Sequence, residues 1–402
     1  MRVSALRRMV PQWLDRRALI LVVIIAVPVL SYSVLRGATY HNDFKGPYRV
    51  ARTFWQTGKL DIAGQNRYPP TVRVLLAPLA ALPIPVAAAV WALGSLVAIL
   101  SVPGLLERLS DVPVREQALA WLATLPLVID ALIMGQSDPI NLFLVTAGLV
   151  LAREARPVLG AGLIGLAGMI KVLPLAFWWV LVVRRRLWGA VAGAILTLVA
   201  SVVLLTGLAG WGKGLHSIVE WHKSLVETEG PWALVARDDS LRENNESLPV
   251  VLARTFGDLD PDLTRNAVPL AHLPLRLIWV LWMAILAVMA ATWLACAWRT
   301  RRAEHGQMWL GMFGLTAALM LAATPIAWPH YFMWFLPAAV FLSHRSRVLV
   351  FAAILGSLGM MIPTLRGLGC HMLLALLFFA MVAYDLLRSV GRREWRNSDR
   401  YR

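Results

Sequence analysis

The acid best placed for chemistry in this chain is Asp43, in the polar stretch His41-Asn42-Asp43-Phe44-Lys45 just beyond an uncharged apolar run from Leu19 to Leu35. About 20 apolar residues cross the ~30 Å of bilayer hydrocarbon, so the run reads as a membrane helix and Asp43 as a carboxylate at its mouth. A carboxylate there reaches water and a lipid headgroup together, and it can take a proton from a hydroxyl as a general base. The competing reading is a helix cap or an ordinary juxtamembrane charge. His330, in Ala327-Trp328-Pro329-His330-Tyr331, begins another apolar segment and can donate to a phosphate oxygen; the alternative is a histidine packed among Trp328, Tyr331 and Trp334. Lys171 lies inside the apolar run Val158 to Val183, where an ionisable group is a functional candidate by default. It either meets an anion, snorkels, or pairs with Asp130 or Asp138.

Uncharged polar groups cluster at Gly135-Gln136-Ser137-Asp138 and Asn141. Asp138 before Pro139 has the form of an N-cap followed by proline at the first helical position. Gln136 and Asn141 are suited to sugar hydroxyls or to orienting a loop. Tyr68-Pro69-Pro70 fixes backbone direction and lacks amide donors at its prolines, so it is expected to shape a groove. His216 and His222 are poorly spaced for joint ligation, and Asp238-Asp239 lacks neighbouring ligands, so no metal is expected.

These residues sit in a chain whose composition decides its class. Of 402 residues 58% are hydrophobic and 15% charged, with mean hydropathy +0.64, far above the usual apolar share of soluble domains. The formal charge of +16 would suggest nucleic acid in a soluble protein. Here the arginines flank apolar runs and act as orientation signals, which argues against nucleic acid. Arg2, Arg7, Arg8, Arg16 and Arg17 before the first run put the N-terminus in the cytoplasm, and no small-residue cleavage site follows that run. Arg184 to Arg186, Arg299, Arg301, Arg302, Arg345, Arg347 and the Arg388 to Arg402 tail belong to the same side. Cys296 and Cys370 both fall in or beside apolar runs, so they build neither a disulfide framework nor a four-ligand metal site.

The expected architecture is all-α: one integral-membrane domain over residues 1–402, a bundle of about twelve membrane segments with some short re-entrant or juxtamembrane helices. The segments include Thr71 to Leu82, Val158 to Val183 taken as one span, and Trp328 to Leu342. Pro69, Pro70, Pro83, Pro85, Pro139 and Pro174 break several of them, and splitting Val158 to Val183 at Pro174 would reverse the sidedness of the middle of the chain. Two loops, about 37–69 and 210–272, are expected on the extracytoplasmic side of the plasma membrane. The second carries six Lys and Arg against ten Asp and Glu. Trp211 and Trp232 in it have the character of interfacial anchors. Gly160, Gly162, Gly165 and Gly168 have spacings that ease close helix contact.

Read in order, Asp43-Phe44, Tyr48, Ala51, Gly58-Lys59-Leu60, Tyr68-Pro69-Pro70, Leu75, Pro78-Leu79, Leu82-Pro83, Gly135-Gln136, Asn141, Lys171, Pro174, Asn245 to Leu248, Pro325, Trp328, His330 and Tyr331 form an ordered set. Together they resemble glycosyltransferase family 87, integral-membrane mannosyltransferases of the GT-C superfamily that use polyprenyl-phosphate sugars. The resemblance runs from about residue 40 to about residue 340. It implies a GT-C-type fold and an inverting, metal-independent transfer from a polyprenyl-phosphate sugar, mannose being the expected one, to a hydroxyl of a lipid-linked or cell-envelope glycan. Asp43 is then the base, His330 the phosphate ligand and Lys171 a second phosphate candidate. Tyr68, Gln136, Asn141 and Asn245 are sugar-binding or site-shaping residues. The competing classes are a secondary transporter, which would show broken helices and buried charges, and a polysaccharide polymerase or ligase, which would carry arginines in its outer loops. No internal repeat supports the first, and the net acidic loop argues against the second.

Overall fold

A computed structural model describes residues 16–39, 41–60, 68–229, 241–259 and 269–389; Arg2, Arg7, Arg8, Trp232, Asp238, Asp239 and nearly all of the C-terminal arginine tail lie outside them. Every regular element among the described residues is helical, as expected for an all-α polytopic bundle. Among the described residues six helices are long and apolar enough to cross a membrane, and four shorter apolar stretches accompany them.

The elements are α1 (Arg16–Ala38), α2 (Lys45–Thr57), α3 (Thr71–Leu75), α4 (Ala77–Ala80), α5 (Ile84–Ser110), α6 (Ala118–Ile133), α7 (Asp138–Arg153), α8 (Pro157–Ile170), α9 (Trp178–Val183), α10 (Leu187–Ala209), α11 (Trp211–Glu229), α12 (Leu248–Phe256), α13 (Leu275–Thr300), α14 (Gly306–Ala323), α15 (Leu336–Phe341), α16 (Ser346–Met361), α17 (Pro363–Gly367) and α18 (Cys370–Ser389). Tighter 3₁₀ turns at Leu173–Phe177 and Pro329–Phe335 lead into α9 and α15.

The helices differ in length and in how much of them is enclosed. At 1.5 Å per residue, α5 with 27 residues and α13 with 26 run about 40 Å, more than the hydrocarbon needs. By contrast, α8 with 14 residues reaches only about 21 Å and α7 with 16 about 24 Å. The long helices α10 and α13 bury 11% and 22% of their apolar windows, whereas α14 buries 83%. Thus α10 and α13 turn most of their surface to lipid, and α14 is enclosed by α5, α13, α15 and α18. Between them the packing is stacked aromatic: Phe177 lies parallel to Trp334 at 5.3 Å and meets Phe313 of α14 edge-on at 5.0 Å.

The bundle has two unlike ends. At one, Arg184 donates from Nη1 to the Thr300 carbonyl at 2.6 Å and from Nη2 to Ala303. Arg153 pairs with Asp111 at 2.7 Å, Arg108 with Glu154 at 2.8 Å, Arg186 with Glu304 at 3.6 Å and Arg345 with Asp385 at 2.5 Å. The start of α14 at Gly306 presses on Ser110 and Asp111, and Arg186 reaches the Ala152 carbonyl at 3.3 Å, which joins these pairs into one basic end. The starts of α5, α7 and α18, the ends of α6, α8, α14 and α16, and the Asp43 loop meet at the other. The middle of the chain follows from this. Val158 to Val183 is two elements that meet at the cavity end, because α8 stops at Lys171 in extended backbone and Pro174 within the following 3₁₀ turn cannot supply a helical amide. Thr71 to Leu82, in turn, is two helices of five and four residues, too short to span and folded into the cavity end.

Glycine sets the spacing of the inner layer. A Cβ on Gly160 would meet the Gly148 carbonyl oxygen at 2.3 Å, and one on Gly193 would meet the Ala161 Cβ at 2.2 Å, so α7, α8 and α10 touch backbone to backbone as the small-residue spacing predicted. Gly160→Val should force α8 off α7 and cost at least the ~1–3 kcal/mol of an overpacked core, seen as a lower melting temperature in detergent. Gly94→Ala, where a Cβ meets nothing within 4 Å, should leave melting unchanged or slightly raised.

Candidate functional site

At the cavity end a recess of about 600 Å³ is lined by Asp43, Tyr68, Asp130, Gln136, Lys171, Asn244, His330, Tyr331 and Arg366, with Lys45, Trp328 and Met360 among others on its walls. That size suits a small-molecule or headgroup site. Five of the residues singled out by sequence therefore meet in one place: Asp43, Tyr68, Gln136, Lys171 and His330.

Asp43 is presented by its neighbours. Asn42 and Phe44 are buried while Asp43 between them is exposed. Phe44 stacks on Trp91 at 5.5 Å, and the Trp91 indole donates to the Gly135 carbonyl at 2.9 Å. The Asp43 amide donates to the Met134 carbonyl at 2.9 Å. Gly135 ends α6 in left-handed backbone (φ +65°), and a Cβ on it would meet the Asn42 amide nitrogen at 2.9 Å and the Phe44 Cβ at 3.0 Å. Only glycine fits both demands. Gln136 follows directly, and its Nε2 donates to the Asp43 carboxylate at 2.5 Å. The Gly135-Gln136 pair is thus a support for Asp43, leaving the second carboxylate oxygen for another group.

Lys171 is paired, with its Nζ 2.8 Å from Asp138 Oδ2 and 3.5 Å from the centre of the Tyr331 ring. The other Asp138 oxygen accepts from the Trp334 indole at 2.9 Å. Asp138 is therefore not the N-cap expected from sequence: Ser137 holds that position and makes no side-chain cap bond, because the Asp138 carboxylate is committed to Lys171 and Trp334. Tyr68 approaches the same group, and Thr71, three residues on, donates to the Met169 carbonyl at 2.5 Å beside Lys171. Burial holds the Tyr68 phenol well above its ordinary range, with Lys171 partly offsetting this, so it stays protonated.

His330 is buried on the Pro329–Phe335 turn. Its Nδ1 lies 3.2 Å from Asp130 Oδ2, and its Nε2 is buried with no hydrogen-bond partner among the described residues. When both nitrogens carry protons, Asp130 holds one and the other is free to donate to an anion.

Asn141 and Asn245 do not line the recess. Asn141 is buried on α7 with its Nδ2 3.4 Å from Ser137 Oγ. Asn245 Oδ1 accepts from the Ser247 and Ala327 amides, both at 3.1 Å, so it shapes the site by joining its own loop to the strand of chain before His330. The neighbouring Asn244 lines the cavity instead and accepts from Arg366 Nη1 at 2.8 Å.

Sequence reading missed Arg366 and the place of Asp130. Arg366 on α17 forms no ion pair with any described carboxylate, and its backbone carbonyl accepts from buried Arg254 at 3.3 Å, whose own pKa burial pushes down to about 10. Only the position of Arg366 at the start of the last helical hairpin, far along the chain from Asp43, marked it, and that is no signal without the fold.

Glu246, Cys370 and His371 form a second polar group with donor atoms within 4.8 Å of one another. The His371 ring uses both nitrogens, Nδ1 toward Glu246 at 2.6 Å and Nε2 toward the Gly356 carbonyl at 3.1 Å. A carbonyl only accepts, so Nε2 carries its proton, and Glu246 also accepts the His371 amide at 3.0 Å. The group works as a buried clamp between the Asn244 loop and α18, with its donors already engaged.

The chain matches the model of glycosyltransferase family 87 over residues 66–325, well over half its length. It belongs to that family. This family-87 chain is also 27% identical over 346 residues to the polyprenol-phosphate-mannose-dependent alpha-(1-2)-phosphatidylinositol mannoside mannosyltransferase of Mycolicibacterium smegmatis, a match covering 78% of this chain and 69% of the relative. No solved structure matches. The family match contains Tyr68, Gln136, Lys171 and Asn245, while Asp43, His330 and Arg366 lie beyond its bounds and enter the site through the fold. As a family-87 glycosyltransferase the protein is a membrane enzyme, in accord with its helices.

Removing one member of a buried pair strands the other, at about 3–5 kcal/mol. Lys171→Met should therefore lower the melting temperature strongly, and Lys171→Met with Asp138→Asn should recover most of the loss. If the single and double variants melt alike, the pair does not hold the recess.

Proposed function

We propose that this glycosyltransferase transfers a sugar, mannose being the expected one, from polyprenyl phosphate to a hydroxyl of a lipid-linked or cell-envelope glycan on the extracytoplasmic side of the plasma membrane. The observation that carries the reading is, among the described residues, a carboxylate with one oxygen open, a histidine nitrogen without a hydrogen-bond partner and a guanidinium without an ion pair on the walls of one recess. The donor is supported by the relative's name, which specifies polyprenol-phosphate-mannose dependence. The glycolipid in that name supports an acceptor of the same broad kind.

In the proposed step Asp43 takes the proton of the acceptor hydroxyl as its oxygen bonds to the anomeric carbon. The bond from that carbon to the phosphate oxygen breaks, and the electron pair leaves with the phosphate. The displacement inverts the anomeric centre through an oxocarbenium-like transition state, as in glycosidases. A lipid phosphate leaves as a stabilised anion, so no second acid is needed, and charge can be met by the Nε2 proton of His330 and by Arg366 without a metal ion. Lys171, already neutralised by Asp138, serves chiefly to hold Tyr68 and Tyr331 in place. The sidedness rests on the positive-inside rule applied to the basic end, with Asp43 at the other.

Asp43→Asn should lose about 10²–10⁴-fold in transfer from polyprenyl-phosphate mannose to a lipid-glycan extract, with unchanged melting; undiminished transfer removes Asp43 from the mechanism. Arg366→Gln should raise the donor KM by about tenfold or more, the worth of a charge-assisted hydrogen bond, with Arg366→Lys intermediate. For sidedness, Lys45→Cys should react with an impermeant maleimide in intact cells and Arg302→Cys should not. Both native cysteines are buried, so the background is low, and the reverse labelling would overturn the orientation.

A further inference from the structure

At the basic end, the opposite end from the Asp43 recess, α9 and α13 part to leave a cleft of about 360 Å³. We propose that this cleft binds an anionic phospholipid, its phosphate against Arg185, Arg301 and Arg302 and an acyl chain along the apolar floor. The floor is Val182 and Val183 of α9 with Leu294 and Ala297 of α13. Leu294 is 59% exposed and Trp298 67% exposed, so in the bilayer lipid covers them.

The three arginines come from two turns that a fourth holds together. Buried Arg184 in the α9–α10 turn donates to the Thr300 and Ala303 carbonyls of the α13–α14 turn. That bond fixes Arg185 beside Arg301 and Arg302. The α9 end closes with the Arg186 amide on the Leu181 carbonyl at 2.8 Å and the Arg185 amide on Val182 at 3.0 Å. This is the helix ending whose left-handed position is ordinarily glycine. Here Arg185 occupies it at φ +61°, a conformation L residues disfavour, so the turn keeps a guanidinium where a glycine would relieve it. The Arg301 guanidinium carbon lies 3.5 Å from the centre of the Trp298 ring and its Nη1 donates to the Trp298 carbonyl at 2.5 Å, which holds it at the lip of the cleft.

Charge complementarity selects the occupant. Among the described residues no carboxylate pairs with Arg185, Arg301 or Arg302; the acid on the same turn, Glu304, faces Arg186 at 3.6 Å. Arginines that serve only to orient a chain need no shared cleft. Cationic pockets between membrane helices that continue into apolar walls match a phosphate headgroup and its acyl chain. The site is independent of the sugar donor, since it lies at the opposite end from the recess.

The test is native mass spectrometry of the full chain, delipidated in detergent and titrated with dioleoyl phosphatidylglycerol or dioleoyl phosphatidylcholine. The expected result is one phosphatidylglycerol retained about a hundredfold more tightly than phosphatidylcholine, the combined effect of three surface arginines. R185Q/R301Q/R302Q should abolish that preference, and L294W, which fills the floor and keeps the charges, should weaken both lipids. Should the triple variant not fold, R302Q alone, at an exposed position, should reduce the preference about fivefold, while R115Q, an exposed arginine elsewhere, leaves it intact. Equal retention of the two lipids by the wild type, unchanged preference in the folded arginine variants, or displacement of the lipid by inorganic phosphate alone would overturn the proposal.

Discussion

The architecture depends on one buried ion pair placed where helices run out. Lys171 and Asp138 lie at the end of α8 and the beginning of α7, both nearly inaccessible. A charge in that position is tolerated only with a partner and with its remaining hydrogen-bonding capacity used. Trp334 and the Tyr331 ring meet that condition, and in doing so they fix the turn that carries His330. Two antiparallel short helices, a 3₁₀ turn and the Tyr68 segment thus share one electrostatic fastening. The reactive groups around it are spared that duty: Asp43 is held by the Gln136 amide, and Arg366 by the Asn244 amide and, at its own backbone carbonyl, by the Arg254 guanidinium.

Much of this was legible from residue type. An apolar chain with arginine punctuation could hardly be anything but a helical bundle, and Asp43, Tyr68, Gln136, Lys171 and His330 do share a cavity. What sequence misjudged were elements whose length is ambiguous. Thr71 to Leu82 has the hydrophobicity of a short span, yet its Pro78 and buried Arg73 suit compact turns inside the protein. Val158 to Val183 has the length of one span, yet a lysine near its middle makes two half-length elements cheaper than one crossing with a charge at its centre. Among side chains the errors were of one position or one role. Asn245 and Asn244 are adjacent, and only the fold decides which faces the cavity. Asp138 has the pattern of a cap, but a nearby ammonium outcompetes an amide for its oxygens.

The two ends of the molecule handle charge in opposite ways. At the basic end, arginines neutralise carboxylates on neighbouring helix termini, and most of these pairs are partly exposed, where each contributes little. Their collective effect is to gather helix ends of one polarity. At the cavity end, charges are fewer, more buried and individually consequential. The Glu246–His371 pair, completely buried, exemplifies the second regime, binding the loop of Asn244 to the helix that follows Arg366.

The division between enclosed and lipid-facing helices also determines which insertions the chain can absorb. Each added residue turns a helix by about 100° and lengthens it by 1.5 Å. In α10 or α13, outside the positions that seat them, Gly193 on α8 and Trp282 and Trp293 on α14, that change would be spent against fluid lipid. In α7 or α8 it would swing Asp138 or Lys171 off its partner, so the inner helices can vary in composition but hardly in length.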